Sequence, residues 1–136
     1  MTAVENGWTV GILPYYANVD LHHPTREQIK IDRVLSALGN PLRLAVVQVL
    51  LGGGEHNCSS VLKVLGVTSK STMTHHWRVL RESGVIWQQP SGREYLLSLR
   101  RDDLDARYPG LLDAILAGVL RDDAAHVVSA KARIRG

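Results

Sequence analysis

The sequence predicts a mainly α-helical domain with one small β-hairpin, in the order α-α-α-α-β-β-α. Three observations predict it. Apolar residues recur at helical spacing through most of the chain after Thr25. Glycine, asparagine and proline, including the run Gly52-Gly53-Gly54, cut that periodicity into separate pieces. Between Val85 and Ser98 the pattern changes to two short apolar runs flanking Pro90-Ser91-Gly92. A length of 136 residues suits a single domain with a modest extension, which divides as an N-terminal arm (1–24), the domain proper (25–130) and a tail (131–136).

The arm is the least regular part. Trp8 to Leu13 is apolar and partly β-branched, after which Pro14, Asn18 and Pro24 interrupt any regular element. Tyr15 and Tyr16 suggest that it packs on the domain or on a partner subunit; a disordered tail is the plainer alternative.

From Thr25 the pattern is helical. Thr25 and Gln28 form a capping-box pair, and Ile31, Val34, Leu35 and Leu38 follow at i, i+3, i+4 and i+7. Gly39-Asn40-Pro41 ends this helix and starts the next, with Asn40 as N-cap and Pro41 at the first helical position. Leu42, Ala45, Val46, Val49 and Leu50 are the expected buried face of that second helix. A short third helix spans about Cys58 to Leu65, with Val61, Leu62 and Leu65 inward and Gly66 as its stop.

The fourth helix, residues 70–83, has two unlike faces. Met73, Trp77 and Leu80 form an apolar stripe. Ser71, Thr74, His75 and Arg78 form a second stripe without an acid, all hydrogen-bonding or cationic. Ser69 is its expected N-cap and Gly84 its stop. A helix start rich in hydroxyls suits a phosphate, and the side chains behind it have the length to reach base edges in a major groove. An ordinary amphipathic surface helix is the bland alternative. The short third helix, the turn at Gly66 and this longer polar-faced helix together make the helix-turn-helix pattern.

Two strands, Val85–Gln88 and Arg93–Ser98, follow as a hairpin over 85–98 with a polar tip from Gln88 to Arg93. A lone hairpin is not stable in water, so it must pack beside the helices as a wing. Asp102 to Arg107 forms a helical turn broken at Pro109-Gly110, and a last helix runs from about Pro109 to Ser129. Leu111, Leu112, Ile115, Leu116, Val119 and Leu120 give it an apolar surface wider than one stripe, which calls for two partners: its own domain and another subunit.

Composition narrows the function. The chain is 45% hydrophobic and 21% charged with a net charge of +3, which fits a globular domain compatible with nucleic acid. The charge is unevenly placed. Lys70, Arg78, Arg81 and Arg93 face only Glu82 and Glu94 between residues 70 and 94. A single cysteine, Cys58, excludes an internal disulfide and fits a reducing, cytoplasmic setting. No stretch has the length of a membrane span, and the N-terminus lacks a signal-peptide pattern. No Gly-rich phosphate loop, His-Glu-x-x-His run or carboxylate cluster supports an enzyme, and the polar cationic face argues against a protein-docking helix.

The runs Leu35-Ser36-Ala37-Leu38-Gly39-Asn40-Pro41-Leu42-Arg43-Leu44 and Ser71-Thr72-Met73-Thr74-His75-His76-Trp77-Arg78-Val79-Leu80-Arg81-Glu82-Ser83-Gly84-Val85-Ile86 resemble the ArsR/SmtB family. The likeness covers about residues 30–120. It implies a prokaryotic winged helix-turn-helix repressor that dimerises through its first and last helices and binds a double-stranded DNA operator. By position it implies DNA contacts from Ser69, Lys70, Ser71, Thr72, Thr74, His75 and Arg78, with Arg93 of the wing on backbone or minor groove. The chain has one more residue of turn at Ser69–Ser71 than the commonest family pattern, which shifts contacts at the helix start by about one position.

Many relatives sense metals, and here the sequence departs from them. The family's Cys-x-Cys place holds His56-Asn57-Cys58, and the last-helix site keeps Asp113 and His126 but has Ile115 and Ser129 in the other two places. Two ligands are too few for a closed zinc site, so no metal or other cofactor is expected. His22 and His23 in the arm are the remaining candidates to complete one. Cys58 as a redox switch is the other alternative; a small buried side chain is the favoured reading.

Overall fold

The computed structural model describes the backbone of residues 21–135, with side chains as far as residue 123. Among these residues there are six α-helices and a three-stranded antiparallel sheet, in the order α1 (Ile31–Leu38), α2 (Pro41–Leu51), β1 (His56–Asn57), α3 (Cys58–Leu65), α4 (Lys70–Glu82), β2 (Ile86–Ser91), β3 (Glu94–Leu99), α5 (Arg101–Arg107) and α6 (Leu111–Arg135). The sheet order is β1-β3-β2. Residues 8–18 of the arm lie outside the described residues.

The first departure from expectation is at the start. The Thr25/Gln28 capping box forms, but it closes only a 3-10 turn, Arg26–Gln28. Ile29 and Lys30 are extended, and α1 begins at Ile31. The cause is tertiary. Ile29 is driven into the core beneath Gly84, whose φ is +87° and where an added Cβ would lie 2.6 Å from Ile29 Cγ1. Continuing the helix through residue 29 would forfeit that burial. Of the predicted α1 stripe, Val34 and Leu38 are buried with Ala37, whereas Ile31 and Leu35 remain 41% and 48% exposed.

Asn40 caps α2 as expected, its Oδ1 accepting from the Leu42 and Arg43 N–H groups at 2.9 and 3.1 Å. Its buried residues are Val46, Val47 and Leu50; Leu42 and Val49 are only half-buried. Val47 escaped prediction because this helix is apolar nearly all round, and periodicity then selects no face.

The hairpin is longer than its apolar runs. The Ser91–Glu94 pair closes it, so Pro90 and Ser91 belong to β2 and the turn is Gly92-Arg93, with φ +62° at Gly92. Pro90 is tolerated because β2 is the edge strand. Gln88 N–H points outward to His23 Nε2 at 3.0 Å, so position 90, two residues on, also faces away from β3 and gives up no ladder bond. Gln88, expected at the tip, is buried. Strand β1 was not expected: two residues, His56 opposite Leu97 and Asn57 opposite Leu96, are too few to show alternation.

Residues after the hairpin hold the segment that precedes α1. Arg100, 2% exposed, donates to Asp103 Oδ2 at 2.9 Å and to the Pro24 carbonyl at 2.7 Å, and its guanidinium lies 3.8 Å over the Trp87 ring. Arg107 and Tyr108 both donate to the Ile29 carbonyl. The helical turn predicted at 102–107 is α5, and α6 continues to Arg135, past the expected end at Ser129. Leu112 and Leu116 of α6 enter the core, Leu111 and Ile115 pack at its margin, and Leu120 is 63% exposed.

Candidate nucleic-acid interface

The helix-turn-helix is set by two caps and one glycine. Asn57 and Ser60 form a reciprocal capping box at the start of α3, with Ser60 N–H donating to Asn57 Oδ1 at 2.7 Å. Gly66, at φ +70°, ends α3, and Val67 N–H returns to the Leu62 carbonyl at 3.0 Å. Three residues later Ser69 caps α4, accepting from Thr72 N–H at 3.2 Å.

The two faces of α4 separate as its sequence predicts. Met73, Trp77 and Leu80 are buried, whereas Lys70, Ser71, Thr72, Thr74, His75 and Arg78 are all exposed. Ser69 is half-buried at the helix start. The hydroxyls there form a small network: Thr72 Oγ1 donates to Ser69 Oγ at 2.9 Å, Ser69 and Ser71 share a hydrogen bond of 3.1 Å, and Thr74 Oγ1 reaches the Lys70 carbonyl at 3.3 Å. Arg93 is exposed in the wing turn.

The two histidines of α4 part company. His75 faces outward, with its ring centroid 5.8 Å from that of His76. His76 Nδ1 accepts from Arg43 Nη1 at 3.0 Å, and burial, then Arg43 and His75, lower its pKa below the usual 6.5. Arg43 also donates to the Ala37 and Ser36 carbonyls, at 2.6 and 3.3 Å. One guanidinium therefore caps α1 and braces α4. Its role was not legible in advance, because its partners lie on two other helices.

The metal and thiol candidates are dispersed. Among the described residues no group of three or more His, Cys, Asp or Glu side chains could hold an ion. His56 Nε2 bonds to the Gly53 carbonyl at 2.9 Å, Asp113 pairs with Arg101, and His23 is engaged by Gln88. The side chains of His126 and Ser129 lie outside the described residues. Burial, reinforced by Glu94, pushes the Cys58 thiol up to about 11, so it is protonated at neutral pH and is a poor nucleophile. That is the environment of a small packed side chain.

Beside α4 lies a feature no sequence pattern indicated. A half-open cavity of about 400 Å³ separates α3, α4 and the hairpin, with Cys58, Lys70, Trp77, Arg81 and Glu94 among its lining. Arg81 Nη1 donates to Gln88 Oε1 at 2.7 Å across it.

A short capped helix, a glycine turn, a cationic outward-facing helix and an adjoining hairpin define a winged helix-turn-helix regulator that binds DNA. Comparison with known proteins agrees. Residues 38–88 match the family described as Helix-turn-helix domain. The uncharacterised HTH-type transcriptional regulator YceK of Bacillus subtilis (strain 168) is 30% identical over 90 residues, 65% of this chain and 88% of the relative. A solved possible transcriptional regulator for arsenical resistance is 27% identical with a TM-score of 0.50, over 68% of this chain and 97% of its own. An ArsR family transcriptional regulator shares the fold at 23% identity and a TM-score of 0.50, over 74% of this chain and 94% of its own. The chain belongs to the ArsR-like winged helix-turn-helix transcriptional regulators. No single helix among the described residues is long and apolar enough to cross a membrane.

Proposed function

We propose that this regulator is a dimeric cytoplasmic repressor that reads a double-stranded operator with α4 in the major groove and the β2–β3 hairpin as wing. The observation that carries the reading is the exposed face of α4 from Lys70 to Arg78, which holds no acid and lies opposite the buried Met73, Trp77 and Leu80. Ser69, Lys70, Ser71 and Thr72, at the positive end of the helix, meet phosphates. Thr74, His75 and Arg78 meet base edges, and Arg93 meets backbone or minor groove. Dimerisation pairs α1 and α6 of two copies; the exposed Ile31, Leu35 and Leu120 support it, since each otherwise leaves a large apolar side chain in water. Operator binding needs no metal or other cofactor, and the chain carries out no catalysis.

The test is genomic footprinting followed by titration of the mapped site. Arg78→Ala should lose about 1–3 kcal/mol of discrimination at one base pair, whereas Lys70→Ala should weaken all sequences alike. Zinc, nickel or cadmium added stoichiometrically should leave the complex intact. Metal-driven release that Cys58→Ser or His126→Ala abolishes would show a sensor instead.

A further inference from the structure

The cavity between α3, α4 and the hairpin has the size and lining of a ligand site. Its volume of about 400 Å³ falls within the range of small-molecule pockets. Leu62, Trp77 and Cys58 give it an apolar side, with the thiol uncharged. Lys70, Arg78 and Arg81 give it three cations against the single carboxylate of Glu94.

Arg81 is the telling residue. Its guanidinium is half-buried and anchored by one bond, to the buried Gln88. It forms no ion pair among the described residues, and its buried Nε has no hydrogen-bond partner. Burial pulls its pKa below the ordinary arginine value, the sign of an under-compensated charge. A cation held in this way in a cavity that Trp77 also lines is complementary to a flat apolar body bearing a carboxylate.

We propose that this cavity is an effector site for a small aromatic carboxylate, and that occupying it weakens the regulator's hold on DNA. The second half rests on the DNA reading of α4 given above, because Lys70, Thr74 and Arg78 belong both to that face and to the cavity wall. An anion here cancels cationic charge that would otherwise attract phosphate. Operator and effector therefore oppose each other by a reciprocal factor.

The experiment follows the Trp77 indole N–H and Arg81 Nε–H signals of the full chain by NMR. The titrants are sodium benzoate, phenylacetate and indole-3-acetate to about 10 mM, a range suited to fragment-sized ligands, with neutral benzamide as control. At least one acid should shift both signals saturably while benzamide does not. Glu94→Gln should tighten that acid about threefold by removing a like charge, and Arg81→Gln should weaken it about tenfold or more. Silence from all three acids, equal shifts with benzamide, or an unchanged affinity in Glu94→Gln would overturn the site, even if Arg81→Gln fails to fold. On a footprinted operator, saturating acid should raise the DNA Kd about tenfold. An unchanged DNA Kd beside saturable acid binding overturns the coupling. A protein that takes the acid but binds no DNA overturns the reading of α4 and leaves the ligand site standing.

Discussion

At the scale of single residues, Ile29 and Gly84 hold the amino-terminal segment to the end of α4. Gly84 ends α4 in the left-handed region, and its missing Cβ is the space that Ile29 fills. Gly84→Ala should therefore combine backbone strain with a clash and cost about 2–4 kcal/mol, read as a fall in the urea midpoint. His23 holds the same segment to the wing edge by a different means. Its Nε2 must be unprotonated to accept from Gln88 N–H, and burial, together with Arg81, Arg100 and His22, lowers its pKa. His76, braced by Arg43, is lowered in the same sense. The unfolded chain takes up these protons first, so their stabilisation is present above about pH 6.5 and is lost as pH falls through the lower folded values. Stability should fall as pH drops below about 6.5, and His23→Phe with His76→Phe should flatten that fall. An equally steep profile in the double variant would contradict the assignment.

At the scale of elements, α4 was the most legible part of the chain and the arm-to-α1 junction the least. Helical spacing separates Met73, Trp77 and Leu80 from Ser71, Thr74, His75 and Arg78 because α4 has a genuinely polar side. α2 has none, and Val47 was accordingly left out of its expected buried face. Thr25 and Gln28 correctly signalled a cap, but a local signal does not tell whether one turn or three follow it; Ile29 decides that through a contact with Gly84, some 55 residues away. The wing was legible in its apolar runs and not in its length, since Pro90 looks like a turn residue until the sheet order makes β2 an edge. The cavity was invisible for a related reason: Cys58, Arg81 and Glu94 share no spacing and meet only in three dimensions.

At the scale of the whole molecule, the domain buries one core and still leaves Ile31, Leu35 and Leu120 in water on its first and last helices. Symmetric pairing of these elements would cover them and give two copies of α4 a fixed separation, which sets the half-site spacing of a near-palindromic operator. Sedimentation at micromolar concentration should show a dimer, and Leu35→Glu with Leu120→Glu should yield monomers that bind one half-site weakly. A wild-type protein that sediments as a monomer would contradict the arrangement.

The most direct test is fluorescence anisotropy of the footprinted operator with wild type, Lys70→Ala and Arg78→Ala across a range of salt. The α4 reading requires wild-type affinity to fall steeply with salt, with a log–log slope of about −0.9 per phosphate contacted. Lys70→Ala should make that slope shallower by about one unit on any sequence, and Arg78→Ala should relax preference at one base pair. Two variants that match wild type in affinity, slope and preference would mean that some other surface meets the DNA.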